Sequence, residues 1–366
     1  MPTSDIPLFK VFLPPREALM PRIEECLYSG QISEGEPVAA FERGFATLVE
    51  APDALAFYSG TAALHVALIL AGVEPGDEVI STAMTAEPTN MAIAHARARI
   101  VWADVDPANG NLTAASIADR ITPRTKAIML VHYGGIPASI AAIRQVAERA
   151  GVPAIEDAAH GLGARYAGRA LGTHSEYVTF SLQAIKHMTT VDGGMLTCRS
   201  AADAKRGRIV RWFGIDRPVE RTRVEVREVG YKYHMNNVNA TIGLAQLDHI
   251  GLVLARHIVN GRWFDEALRG IAGLDLCRWD AAAEPSYWFY TVLTDRPDAL
   301  ARTLAEHGIQ ASKVHRRNDE HPVFADARTD LPGLDRFFSR MLHIPCGWWV
   351  SDEDRDRIAG VIRGGW

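Results

Sequence analysis

The sequence predicts an α/β fold built on a mainly parallel central sheet, followed by a smaller α+β unit. Two observations carry this reading. Up to residue 200, short apolar runs alternate with segments of helical period. Beyond residue 200 the alternation stops and long helical patterns take over. Strand–helix alternation implies a parallel sheet covered on both faces. Such sheets place ligands outside the carboxyl ends of their strands.

The strands read in order are EVIST (78–82), RIVWADVD (99–106), AIMLVHYGG (127–135), PAIEDAAH (153–160), EYVTFSL (176–182) and GGMLTC (193–198). Between two of them, Ile140, Ile143, Ala147 and Ala150 recur at helical spacing, and Gly151 supplies a stop. Residues 238–270 read as one helical stretch. SYWFYTVLT (286–294) reads as an aromatic-rich strand, and DEDRDRIAGVIR (352–363) as a closing helix. The expected division is a large ligand-binding α/β domain over residues 1–250 and a small α+β domain over 251–366.

Composition excludes several classes. The chain has 366 residues and a net charge of −5, with both signs interspersed. No basic tract suggests nucleic acid. The first twenty residues lack a charged segment followed by an apolar one, so no secretion signal is read. The run AALHVALILAGV is too short to span a bilayer. Cys26, Cys198, Cys277 and Cys346 are scattered, with no CxxC pair. That pattern fits reduced thiols in a cytoplasmic protein, not a zinc site or a disulfide framework.

The motif search narrows the chemistry. GLGARY (161–166) offers Gly161 and Gly163 but has Tyr166 where a dinucleotide site needs glycine. There is no phosphate-binding GxxxxGK[ST], no GxSxG and no HExxH. FSLQAIKHMTTVDGG (180–194) is different, because it sets Lys186 just beyond an apolar strand. Ser181 precedes the lysine. EDAAH (156–160) puts Asp157 at the end of another strand. YSGTAAL (58–64) is a small, hydroxyl-rich turn entering a helix, where free N–H groups can hold a phosphate. A phosphate cradle, a strand-end aspartate and a lysine are the parts needed to hold pyridoxal 5′-phosphate (PLP). Each has a plainer alternative. The lysine alone reads as a solvated surface residue, Asp157 as a helix cap, and SGTAAL as a capped helix start.

These motifs together resemble the DegT/StrS family of sugar aminotransferases, within the aspartate aminotransferase fold (fold type I). The resemblance runs through FYSGTAAL, PGDEVIST, VHYGG, AIEDAAHGLGA, FSLQAIKHMTTVDGG, GYKYHMNNVNATIGLAQL and HIPCGWW. It implies a Schiff base on Lys186, Asp157 beside the pyridine nitrogen, and His160 near the cofactor's 3′-oxygen. It implies cofactor contacts from Ser59, Gly60, Thr61, Ala62, Thr85 and Ser181. It also implies a homodimer with shared active sites, in which GYKYHMNN comes from the partner subunit. The plain alternative for His160 is a buried histidine bonded to backbone.

Two positions depart from the family pattern. Lys232 stands where many members have an asparagine that reaches the partner's phosphate, and it either does so with a full charge or points elsewhere. Ala86 stands where many members have an aromatic that stacks on the cofactor ring. Either Met84 or a side chain from a later loop covers that face, or the stacking there is weaker.

The implied reaction is transfer of an amino group from an amino acid, by family habit L-glutamate, to a keto- or aldehydo-sugar. The acceptor is nucleotide-linked, a free acidic sugar, or another carbonyl compound. The stretches KHMTT–VDGG, RWFGID and RNDEH are similar to perosamine synthase-like and 8-amino-octulosonate (Kdo-type) aminotransferases. Arg316, Asn318 and His321 in VHRRNDEH are candidate substrate contacts, with a charged surface loop as the alternative. RWFGIDR (211–217) carries the same two readings, and GWWV (347–350) reads as core or interface, with a sugar-stacking platform as the alternative. Two rival functions share the fold. One is a sugar dehydratase, whose known family examples replace the lysine with histidine; His187 is adjacent. The other is a non-catalytic regulatory paralogue.

Overall fold

Alternation within the strands explains the layering. The structure is a computed structural model describing residues 5–217 and 219–366. Its main sheet has seven strands in the order Leu55–Phe57, Gly194–Cys198, Tyr177–Ser181, Ala154–Asp157, Thr125–Val131, Glu78–Ser81 and Arg99–Trp102. The five strands from Tyr177–Ser181 to Arg99–Trp102 are parallel, and Gly194–Cys198 runs antiparallel to both its neighbours. Successive strand residues point to opposite faces. Ile80, Ile128, Leu130, Ala154 and Val178 join one apolar core. Val79, Ala127, Met129, Ile155 and Tyr177 join the other. Both faces are therefore buried, which is why the strands read as continuous apolar runs.

A second sheet of three antiparallel strands, Asp275–Leu276, Tyr290–Leu293 and Met341–Ile344, lies toward the C-terminus. Its core holds Phe264, Leu300, Leu304, Ile344, Ile358 and Ile362, and the N-terminal Ile6 joins it. Trp349 Nε1 donates to the Pro7 carbonyl and Trp348 Nε1 to that of Lys10, so the GWWV tryptophans pin the N-terminal segment. Among the described residues, no single helix is long and apolar enough to cross a membrane.

Several elements differ from the sequence reading. The strands expected over 99–106, 127–135 and 153–160 end early, at Trp102, Val131 and Asp157, and the one expected over 286–294 is confined to Tyr290–Leu293. After Val131 the chain leaves the sheet through Gly134 and Gly135, both at positive φ. A Cβ on Gly135 would meet backbone atoms of His160, Tyr287 and Trp288 at 2.9 Å, so this turn requires glycine. The stretch 238–270 is two helices, Asn237–Leu247 and Ile250–Ala267, bent by 60°. The first packs on the helices Arg16–Tyr28 and Glu36–Leu48, and the second on Asp352–Arg363. One straight rod cannot serve both surfaces.

Candidate active site

Strand ends and one helix start converge on a cavity of about 310 Å³. Asp157 is the last residue of its strand and is buried. Ser181 ends the neighbouring strand. Gly60 starts the helix Gly60–Leu70, whose cap is Ser59. Ser59 Oγ accepts the Ala62 N–H at 3.1 Å. Gly60 and Thr61 line the cavity, and the N–H groups of a helix start attract an anion. Space here is tight. A Cβ on Gly60 would meet Ser181 Cβ at 3.2 Å, and one on Gly194 would meet the Ser59 carbonyl oxygen at 2.4 Å.

Lys186 lies five residues past the strand end, in a turn closed by its own N–H to the Gln183 carbonyl. The hydroxyls that follow hold this turn. Thr189 Oγ1 donates to the Leu182 carbonyl and Thr190 Oγ1 to that of Asp192. A Cβ on Gly193 would fall 2.1 Å from Thr190 Oγ1. The threonines and glycines of the motif thus fold the chain back on itself and leave Lys186 facing the cavity.

The electrostatics follow from burial. Desolvation pushes the Lys186 ammonium down to about 7, against the pull of Asp157. Burial pushes the Asp157 carboxyl up, while hydrogen bonds from Thr89 Oγ1 at 2.7 Å and the Ala159 N–H at 3.0 Å hold it down in part. Burial drives His160 well below the ordinary imidazole range, so it is neutral. His160 Nδ1 accepts the Gly134 N–H at 3.4 Å. Its proton therefore sits on Nε2.

The cavity brings together Ser59, Gly60, Thr61, Thr85, Asp157, His160, Ser181 and Lys186. Ala86 also lines it, whereas Met84 is fully buried in the core. Other sequence candidates lie elsewhere. Asn318 is fully buried; its Nδ2 donates to the Thr85 carbonyl and its Oδ1 accepts from Asn90. It ties the loop after Glu78–Ser81 to the later segment. Arg316 pairs with Glu320, and His321 lies 3.3 Å from Glu87. In RWFGIDR, Arg211 pairs with Glu34 and Glu42, and Arg217 pairs with Glu34. Lys232 is exposed, outside the cavity wall.

Among the wall residues that the sequence reading did not single out, three bear directly on the site. Thr89 bonds Asp157 and is itself bonded to Thr85 at 2.7 Å. Trp288 puts its ring 3.8 Å beneath Lys186 Nζ and stacks on His160 at 3.9 Å. His315 lies parallel to His160 at 5.4 Å. Trp288 was visible only as one aromatic in a strand-like run, and His315 adjoins the charged cluster that drew attention instead.

Comparison with known proteins agrees with this geometry. The model of the DegT/DnrJ/EryC1/StrS aminotransferase family matches residues 15–363. This chain belongs to that family. It is an aminotransferase of fold type I, and the family's cofactor is PLP. The GDP-perosamine synthase of Caulobacter vibrioides is 34% identical, over 98% of both chains. The sugar aminotransferase CalS13 from Micromonospora echinospora is 38% identical over 99% of this chain and 100% of its own, with a TM-score of 0.95. AtS13 from Actinomadura melliaura is 39% identical over 100% of both chains, again with a TM-score of 0.95.

The residues present fit PLP. Free helix N–H groups suit its phosphate, a buried carboxylate suits its ring nitrogen, and a near-neutral amine suits its aldehyde. His187 takes no part in the cavity. It is buried against His257, ring to ring at 4.5 Å, and so gives the dehydratase reading no support.

Proposed function

We propose that this aminotransferase moves an amino group from an amino acid, by the resemblance L-glutamate, to the carbonyl of a keto- or aldehydo-sugar. The observation that carries the reading is Lys186. Its amine has a near-neutral pKa and shares a cavity with a strand-end carboxylate and an open helix start. The relatives named for sugar substrates support a sugar acceptor.

The cavity suggests residue roles. With PLP bound, Lys186 Nζ would hold it covalently. Asp157 would take the ring nitrogen, and His160 would offer its Nε2 proton to the 3′-oxygen. Gly60, Thr61 and Ser181 would receive the phosphate. PLP, when bound, draws electrons from the carbon that bears the transferred nitrogen. Lys186, once free and neutral, is the base that accepts the donor's α-proton at Nζ. An ordinary lysine is almost wholly charged at pH 7, and burial removes that obstacle. Val131, Phe180, Ile185 and Trp288 line the wall with apolar surface that keeps bulk water out.

We further propose a cytoplasmic homodimer with shared sites. Lys232 would reach the partner's phosphate. Nearby segments expose Phe213, Val226 and Val229, the last at 79%. Apolar exposure of that kind fits a covered interface.

The test is spectroscopic. Purified protein with PLP should show a band near ~420 nm that moves toward ~330 nm with L-glutamate. Lys186→Ala should abolish the band. A wild-type protein that forms no such band with PLP refutes the reading. A band that forms but ignores amino donors refutes the transfer.

A further inference from the structure

Lys186 Nζ has no carboxylate within ion-pair distance among the described residues; an aromatic ring lies close to it instead. The Trp288 ring centroid lies 3.8 Å from Nζ, well inside cation–π range. Trp288 is itself fixed from two sides. Its Nε1 donates to the carbonyl of Ile185, the residue before the lysine, at 2.9 Å. Its ring also stacks on His160 at 3.9 Å and on Phe9 at 4.7 Å. The side chain is fully buried. A rigid aromatic plate therefore lies under the reactive nitrogen, built from the later strand region and bonded to the lysine's own turn.

We propose that Trp288 is a positioning residue for Lys186, whose ring face seats the amine at the cavity wall and favours its charged form until the cofactor arrives. This rests on the reading of Lys186 as the PLP-holding lysine.

The physical argument is a balance of two effects. Desolvation favours the neutral amine, and the negative face of the indole favours the ammonium. Removing the ring should tip the balance toward the neutral form. The other titratable groups near Lys186 are the same in every variant. Asp157 is the carboxylate whose field reaches it. Asp192 lies on the same wall. His160 and His187 are held well below their ordinary range, and His315 down to about 3, so all three stay neutral above mildly acid pH.

Capture of PLP reports the neutral fraction. The Nζ lone pair attacks the aldehyde carbon, a carbon–nitrogen double bond forms, and two amine hydrogens leave with the carbonyl oxygen as water. Apoprotein is mixed with PLP from about pH 5 to about pH 10, and growth of the ~420 nm band is timed. In the wild type the rate should rise through a midpoint set by the Lys186 ammonium, which burial holds below the ordinary lysine range. Trp288→Leu and Trp288→Met remove the π face, and either should lower the midpoint by about one pH unit. Trp288→Phe keeps a face but loses the Nε1 hydrogen bond, and should stay close to wild type. The cofactor's own ionisations are common to all variants and cancel in the shift. An unchanged or raised midpoint in the Leu and Met variants overturns the proposal. So does an equal downward shift in Trp288→Phe, which would assign the effect to the Ile185 bond. A wild type that forms no band removes the Lys186 reading itself, a separate failure.

Discussion

At the scale of single residues, the cavity works by setting charge against burial. Asp157 is the clearest case. A carboxylate with almost no solvent tends to protonate, and two donors resist that. Thr89 supplies one of them. Since Thr89 donates to Asp157, its oxygen is free to accept from Thr85, and the two hydroxyls form a chain behind the carboxylate. Hydrogen bonds to buried charged groups are worth roughly 1.5 kcal/mol or more, about tenfold in an equilibrium constant. Thr89→Val, nearly isosteric, should therefore weaken PLP binding about tenfold, and Thr89→Ser should restore it. In an Asp157→Asn background the Thr89→Val effect should largely vanish, because the pair acts as one unit. Fluorescence titration with PLP measures all four. Equal losses in both backgrounds would show that Thr89 acts on packing alone.

At the scale of elements, the site depends on close backbone approach, and glycine marks where. Gly194 lies in the antiparallel strand Gly194–Cys198, beside the helix start. An added Cβ would sit 2.4 Å from the Ser59 oxygen and 2.6 Å from the Gly60 nitrogen. Both are backbone atoms and cannot swing aside. Gly194→Ala should destabilise the fold by about 2 kcal/mol and also lower PLP affinity by displacing the phosphate cradle. Thermal melting of the apoprotein and PLP titration check the two halves. A variant with normal affinity would mean that the helix start tolerates displacement. This juxtaposition also marks what the sequence could tell. The strands were legible because a doubly covered sheet demands apolar runs, and the lysine motif because its parts are adjacent in sequence. Thr89 and Trp288 were not, because nothing local distinguishes a threonine on a helix or a tryptophan in an apolar run. Only the fold brings residues 89, 157, 186 and 288 to one wall. The bend at residues 248–249 was equally hidden, since both helices keep apolar stripes and the break lies in what they pack against.

At the scale of the whole molecule, the question is whether one chain makes a complete site. Within the chain, the cavity supplies the amine, the carboxylate and the helix start. It supplies no cation for the phosphate other than Lys186 among the described wall residues. Lys232 is exposed and lies apart from that wall, on a segment expected to meet a second copy. If it crosses to the partner, Lys186→Ala and Lys232→Glu chains fail for different reasons at different sites. Mixed at random in equal amounts, half of the dimers would carry one chain of each. Each such dimer has one site with both defects and one with neither. Mixing should then recover about a quarter of wild-type activity from two inactive proteins, after exchange under mild denaturant. Glutamate-driven loss of the ~420 nm band in a single turnover reads the same fraction without a chosen sugar acceptor. No recovery, with exchange verified by mass-tagged chains, would place Lys232 in its own subunit's chemistry or in none. Recovery would mean that the charge completing each phosphate cradle comes from the other chain, so that affinity for the cofactor depends on protein concentration wherever the dimer dissociates.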